Sequence, residues 1–326
     1  MSQRVLTAIA CVLFVTASLA GQAKKYSPPR TPDGQPDLQG FGTNSTYTPL
    51  ERPKNVTKEF FTKEEAAELE KQAAEREEEQ TEPGTIADVH YDFTQFGLDR
   101  SQSRHASNLR SSMIVDPPDG KLPPLTPDGQ KRAVERAAQA KLVGRWDSAQ
   151  SNDLDDRCLI FLGAGPPMLP QGYNSNYQIV QGPGYVMILF EQAHDVRIIP
   201  LDGRPHISRS IRQWTGDSRG HWEGDTLVIE TTNLNGKNPL RGSSENTRVT
   251  ERFTRVAADT ISYKFTIDDE TTWSKPWSAE LPMTKTVGPI FEHACHEGNY
   301  GLYNTLVGAR LEEKKAAEAA AKKGGQ

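Results

Sequence analysis

The sequence predicts a mainly β fold, an antiparallel meander of about eight to ten short strands that closes into a barrel. Three observations support this prediction. From Cys158 onward, short apolar runs are separated by turn-forming residues. Several of these runs alternate apolar and polar residues, as half-buried strands do. No helical pattern lies between them, so consecutive strands are expected to pair. A barrel of about eight strands can hold one small ligand, and a two-sheet sandwich is the alternative fold.

The candidate strands are expected to lie at different depths. Run 260–267 alternates cleanly and should have one buried face. Run 185–191 is continuously apolar up to its final glutamate, which predicts a central strand that is buried on both faces. The other candidate strands are 177–181, 195–201, 226–232, 248–256, 277–283 and 289–295.

Residues 211–233 combine two tryptophans, three glycines, one histidine and six charged side chains, too dense a mixture for an ordinary loop. Gly224 and Asp225 suit a tight hairpin turn before strand 226–232. Residues 217–220, Asp-Ser-Arg-Gly, suit a second turn, since Asp favours the first turn position and Gly the last. We therefore expect two linked turns that display the side chains Asp217, Arg219, His221 and Glu223.

The chain divides into four parts. Residues 1–23 have the layout of a secretory signal peptide, and their apolar run is too short to span a bilayer. Residues 24–150 predict a Pro-rich extended arm with two short helices, which begin after Thr62 and Thr126 and pack on the barrel. Residues 151–308 form the barrel domain, and 309–326 a polar Ala/Lys/Glu tail. We expect a periplasmic or secreted protein with no stable membrane insertion after signal cleavage.

Cleavage of the signal would leave two cysteines, Cys158 and Cys295. In an oxidising compartment this pair predicts one disulfide that closes a long loop. The alternative is two separate buried thiols.

Charge and motifs exclude several functions. The net charge of −5 and the lack of a basic stripe argue against a nucleic-acid partner. The chain has no phosphate-binding glycine loop and no dinucleotide fingerprint. His194, His221, His296 and Glu297 could converge on a metal, but they lack the spacing of metal-ligand motifs. We therefore expect neither a cofactor nor a metal, and the sequence does not decide the oligomeric state.

His221 and Glu223 are the leading catalytic pair. Two residues apart on one strand, they share a face, so the imidazole could act as a general base while the carboxylate orients it. Asp217 is an alternative orienting group, and Arg219 or Arg197 would stabilise an anion. The structural alternative is that Asp217 and Arg219 build the turn and His221 faces water.

The strand region is rich in aromatic residues, which suits a barrel that binds an apolar or aromatic molecule. The predicted ligand-binding residues are His194, Trp214, Trp222, Tyr263, His296 and Glu297. The alternative is that the aromatic side chains only fill the core. The leading function is thus an exported barrel that binds a small, partly apolar partner molecule. The alternatives are a cofactor-free lyase, isomerase or hydrolase, and an envelope structural protein.

Four words of the sequence resemble a family of exported, largely uncharacterised bacterial proteins. They are GDSRGHWEGDTLVI at 216–229, DVRIIPLDG at 195–203, VTERFTR at 249–255 and ACHEGN at 294–299. The resemblance covers residues 28–308 and implies export and a β-rich body. The order of strands around a Trp-bearing hairpin is also loosely similar to lipocalins, which implies a lipocalin-like barrel. The lipocalin Gly-x-Trp word occurs at 144–146, but no clear first barrel strand follows it.

Overall fold

The computed structural model describes residues 26–78, 107–144, 146–171, 174–238 and 240–324. The predicted signal peptide, residues 1–23, lies outside these ranges. Within them the chain forms ten strands and three α-helices. None of these helices is both long and apolar enough to cross a bilayer.

Nine strands form one antiparallel sheet, in the order β5-β4-β3-β1-β10-β9-β8-β7-β6. β2 pairs with β10 beside this path. The strands are β1 Gly40–Thr43, β2 Ile114–Asp116, β3 Asn176–Gly182, β4 Tyr185–Phe190, β5 Val196–Pro200, β6 Asp217–Glu223, β7 Thr226–Thr232, β8 Arg248–Ala257, β9 Thr260–Asp268 and β10 Trp277–Lys285.

The sheet curls until its two end strands, β5 and β6, touch. A Cβ atom built on Gly220 would lie 2.8 Å from Cγ2 of Ile199 and 2.7 Å from Cδ2 of Leu201. The Arg197 guanidinium also reaches Ser218 Oγ across this junction, at 3.4 Å. The nine strands therefore nearly close into a barrel, which confirms the predicted fold.

The barrel interior is filled by side chains from alternate strand positions. On β9 the inward residues Ile261, Tyr263, Phe265 and Ile267 are buried, and the residues between them are half-buried. Neighbouring rings touch, with centroids 4.8 Å apart for Phe253 and Tyr263 and 5.8 Å apart for Phe265 and Trp277. Each such side chain stabilises the fold by roughly 1.5–3 kcal/mol through burial, so this aromatic row forms the centre of the core.

The region predicted as an extended arm also supplies a barrel strand. β1 lies between β3 and β10 and pairs with both. A Cβ at Gly42 would lie 2.4 Å from the Tyr177 hydroxyl oxygen, so only glycine lets this strand pass so close to the ring. β1 was not predicted because a four-residue strand with two glycines carries no visible period.

Both predicted helix starts are confirmed. α1, Lys63–Glu78, follows a capping box in which Thr62 N–H donates to Glu65 Oε2 (2.8 Å) and Glu65 N–H donates to Thr62 Oγ1 (3.2 Å). α2, Pro127–Leu142, is capped by Thr126 Oγ1, which accepts from Gly129 N–H at 3.0 Å.

Three local predictions are wrong. Residues 217–220 are part of β6 and not a turn, because each of them pairs with a residue of β7. Residues 289–295 form no strand. Strand β4 is not central: it lies beside the end strand β5, and its outward residues Met187 and Leu189 are only half-buried. A single-walled barrel buries one face of each strand, so a continuous apolar run does not require two buried faces. The predicted hairpin turn at Gly224 and Asp225 is confirmed.

The predicted disulfide joins Cys158 to Cys295, which are 137 positions apart in sequence and have Cα atoms 5.6 Å apart. It ties the segment before α3, Tyr300–Gly324, to the loop that precedes β3. The Arg310 guanidinium donates to the carbonyl oxygens of Trp146 and Asp147 at 2.9 and 2.8 Å. Most of the predicted polar tail is therefore helix, and its first part contacts the body of the protein.

Candidate functional site

Strand β6 carries four of the five predicted catalytic residues on its outward face. Ser218 and Gly220 alternate with them and point into the barrel, where Ser218 Oγ meets Thr231 Oγ1 at 2.8 Å. Asp217, Arg219, His221 and Glu223 therefore share the outer surface of the barrel. The sequence predicts that these side chains share a face, but it does not predict which face lies inside.

His221 and Glu223 form the predicted contact, with 3.2 Å between His221 Nε2 and Glu223 Oε1. Both side chains are exposed, by 59% and 48%. Glu223 also pairs with Arg252, whose Nη1 lies 2.7 Å from Oε2. The hydrogen bond from Arg252, and then that from His221, lower the pKa of Glu223. His221, Glu223 and Arg252 thus form a row of solvated ion pairs. His221 and Arg252 flank Val228, which faces outward from the barrel and is buried beneath them.

Asp217 contacts a different histidine, His206, and Arg219 contacts Asp217. His206 Nδ1 lies 2.7 Å from Asp217 Oδ2, and His206 Nε2 lies 3.2 Å from Glu230 Oε1. Arg219 Nη1 donates to the other oxygen of Asp217 at 2.7 Å. Each ring nitrogen of His206 therefore faces a carboxylate oxygen. With both ring nitrogens engaged, this histidine has no free nitrogen for a substrate.

The predicted anion-stabilising residue Arg197 lies inside the barrel and is buried. It forms a two-point ion pair with the fully buried Glu251, through Nη1 and Oε1 at 3.0 Å and through Nη2 and Oε2. Burial alone lowers the pKa of Arg197, but the charge and hydrogen bonds of Glu251 outweigh it and raise that pKa. The anion that Arg197 stabilises in this structure is therefore Glu251.

Tyr263 links this ion pair to the end of the barrel. Its hydroxyl donates to Glu251 Oε1 at 2.8 Å and accepts from the Met168 N–H at 2.8 Å. Burial, and then the nearby charge of Glu251, raise the pKa of Tyr263 well above its usual value, so the phenol stays protonated. Asn44 Nδ2 donates to Met168 O at 2.9 Å and fixes the loop from the other side. The segment 165–169 thus sits over the ion pair.

A small pocket lies at this end of the barrel, which we call the mouth pocket. Its volume is about 30 Å³, enough for one or two water molecules or the edge of a small group. Its walls are mostly apolar, and none of the residues that line it carries a charge. They are Gly165, Pro166, Pro167, Leu169, Trp214, Leu234, Asn238, Leu240, Ser243, Thr247, Val249 and Ile267.

Asp269 supports the loop that forms one wall of the mouth pocket. Its carboxylate accepts from Ser244 N–H at 2.6 Å, Thr247 Oγ1 at 3.0 Å and Thr272 Oγ1 at 2.7 Å. Burial would raise the pKa of Asp269, but the hydrogen bonds from Ser244, Thr272 and Thr271 outweigh it and lower that pKa. The charged carboxylate therefore holds Ser243 and Thr247 in place.

The six predicted ligand-binding residues do not converge. Trp214 lines the mouth pocket, and Tyr263 lies in the network behind it. Trp222 is partly buried against the core. The other three are exposed outside the mouth-pocket lining: His194, His296 and Glu297.

Three comparisons with known proteins give no match: no family model, no curated protein and no solved structure is similar to this chain.

Proposed function

We propose that the protein binds a small, uncharged and partly apolar molecule at the mouth pocket. The observation that supports this most directly is the composition of the lining, in which apolar walls from Trp214, Leu234 and Leu240 face a few polar groups. Small-molecule sites are commonly apolar with a small number of polar groups that orient the ligand. The Asn238 amide and the Ser243 hydroxyl are suited to that role.

The lining supports a neutral ligand. A charged group that enters an apolar pocket loses its hydration, and this loss is large unless an opposite charge replaces it. The interior charges of Arg197 and Glu251 already neutralise each other, and the Asp269 carboxylate is occupied by hydrogen bonds from the loop. The ligand is therefore expected to carry a hydroxyl or carbonyl group and no net charge.

The pocket volume supports a partly inserted ligand. At about 30 Å³ it is much smaller than the roughly 150 Å³ cavity that encloses benzene in an engineered protein. A ring would enter by one edge and stack the rest of its face on the Trp214 indole, which is 36% exposed.

We also propose that the mature protein is exported. The disulfide between Cys158 and Cys295 supports this, since such bonds persist in oxidising compartments. Mass spectrometry of the protein from an envelope fraction tests the proposal: the expected mass lacks the first 20 to 23 residues and two hydrogens, and a full-length, reduced protein would contradict it.

Binding is tested by titrating the full chain with phenol and, as a charged control, benzoate, while recording the indole N–H signals by NMR. Phenol is expected to shift the Trp214 signal and benzoate is not. Leu240→Trp fills the pocket and is expected to abolish the shift, whereas Leu159→Trp, at an exposed site outside the lining, preserves it. Equal shifts of Trp214 and of Trp146, which has the same 36% exposure, would contradict the proposal.

A further inference from the structure

One corner of the barrel gathers a carboxylate and two imidazoles outside the mouth-pocket lining. Glu191 directly follows β4, and the next short turn ends at His194, whose N–H donates to Glu191 O at 3.1 Å. The Phe291 N–H donates to Glu191 Oε1 at 3.1 Å. This contact brings His293, two residues further on, to the same corner.

Glu191 is a buried carboxylate, only 3% exposed. It is held by two hydrogen bonds, from Phe291 N–H and from Asn176 Nδ2 at 2.6 Å. Within the described ranges no lysine or arginine pairs with it. Burial of a charge without an opposite charge is unfavourable in free energy, so a cation bound beside this carboxylate would stabilise it.

The surrounding groups are rich in acceptors. Asn176 Oδ1 and Asp195 Oδ2 are both buried, and neither has a hydrogen-bond partner in the described part of the chain. Asn176, the first residue of β3, donates to Glu191, and Asp195 follows His194 directly. Oxygen acceptors without donors are expected where a cation completes the arrangement.

His293 is held in a fixed orientation. Its ring packs edge-on against Phe161 with centroids 5.2 Å apart, and the disulfide at Cys295 anchors its segment to the body. His293 follows Phe291 by two residues, and the Phe291 N–H binds the Glu191 carboxylate, so the His293 segment is fixed beside that carboxylate.

We propose that Glu191, His194 and His293 bind a divalent transition-metal ion of the Zn²⁺ class. One carboxylate and two imidazoles are a common ligand set for such ions. Asn176 and the Phe291 N–H act as outer-shell donors that orient the carboxylate. The three ligand atoms do not all lie within 4.8 Å of one another in the structure. Binding therefore requires the three side chains to move closer together, and the exposed His194 side chain has room to do so.

The backbone at His194 suggests a clean variant. Its φ of 56° lies in the left-handed region, which asparagine tolerates well. His194→Asn therefore removes the imidazole and keeps the turn. His293→Gln removes the second imidazole. His296→Gln is the matched control, since it changes an exposed histidine of the same segment. Asp155→Asn controls for the acidic cluster of Asp153, Asp155 and Asp156, the competing surface site.

The experiment is calorimetric titration of the untagged, full, disulfide-bonded chain with Zn²⁺, supported by the visible spectrum of bound Co²⁺. One site is expected. His194→Asn and His293→Gln should each weaken it by at least about 100-fold, and Asn176→Ala by about 10-fold. The two control variants should bind as the wild type does.

Three results would overturn the proposal: no stoichiometric binding of either ion, binding that survives both imidazole variants, or binding that is lost in Asp155→Asn. Glu191→Gln is informative only if circular dichroism shows a folded protein, and the two histidine variants decide the question without it. Neither outcome bears on the mouth pocket, which shares no residue with this corner.

Discussion

The Arg197 guanidinium and the Glu251 carboxylate form a two-point ion pair that joins β5 to β8 across the interior of the barrel. Both residues are buried, so each charge depends on the other for its stability. Removal of one partner leaves an uncompensated charge in the core.

This pairing predicts strongly non-additive mutations. Arg197→Met alone is expected to destabilise the protein by about 3–5 kcal/mol, because Glu251 loses its counter-charge. The double variant Arg197→Met with Glu251→Leu should recover most of that loss, since apolar side chains can replace a buried ion pair. Urea unfolding of the wild type and the three variants measures the coupling. Additive effects of the two single changes would show that the pair is not a unit.

The close approach of β1 to β3 predicts that Gly42 cannot carry a side chain. Gly42→Ala places a Cβ against the Tyr177 ring and 2.9 Å from Thr284 O, and it should destabilise the fold by about 1–3 kcal/mol. Gly182→Ala, at the end of β3 with no atom within 4 Å, is the control and should change the free energy of unfolding by less than about 1 kcal/mol. Similar effects of both changes would refute the steric explanation.

Asp269 predicts a specific loss of stability in acid. Its pKa is lower in the folded protein than in the unfolded chain, so its contribution is present above the unfolded pKa of about 3.9 and is lost as the pH falls through the folded pKa. Asp269→Asn should therefore destabilise the protein at pH 7 and flatten the stability curve below about pH 4. Unfolding midpoints measured from pH 7 to pH 2 test this. The neighbouring exposed Asp268→Asn should leave the curve unchanged.

The disulfide predicts sensitivity to reducing agents. It closes a loop of 137 residues, for which the chain-entropy model gives a stabilisation of about 4–5 kcal/mol. A reductant should lower the urea midpoint of the wild type and have no effect on the double variant Cys158→Ser with Cys295→Ser. If the reductant leaves the wild type unchanged, the bond does not contribute to stability.

Periodicity made much of the barrel predictable. The alternation through Ile261, Tyr263 and Phe265 reflects one buried face, and it identified β9 correctly. The same rule placed His221 and Glu223 on one face, but it could not identify that face as the outer one. Which face lies inside depends on Gly220, a small residue that packs against Ile199 on β5, the strand at the other end of the sheet order.

Long-range partners were beyond the reach of local patterns. Arg197 and Glu251 are 54 residues apart, and His206 contacts Asp217 and Glu230 from a loop without regular structure. Such pairs follow from strand register and loop path, which depend on packing of the whole barrel. The mouth pocket is assembled from loops in the same way. Trp214 was therefore predicted as a ligand-binding residue only because it is aromatic, and its place in the pocket could not be predicted.

The junction of β5 and β6 is the place where we expect the diameter of the barrel to change most easily. In the described chain the two strands meet through side chains such as Ile199 and Leu201 packed on Gly220, and no ladder of backbone hydrogen bonds joins them. A barrel in which backbone hydrogen bonds join every pair of neighbouring strands can widen only by breaking one of those ladders. We expect the wall to open most easily along this line, where Arg197 reaches Ser218, because every paired strand can then keep its neighbours.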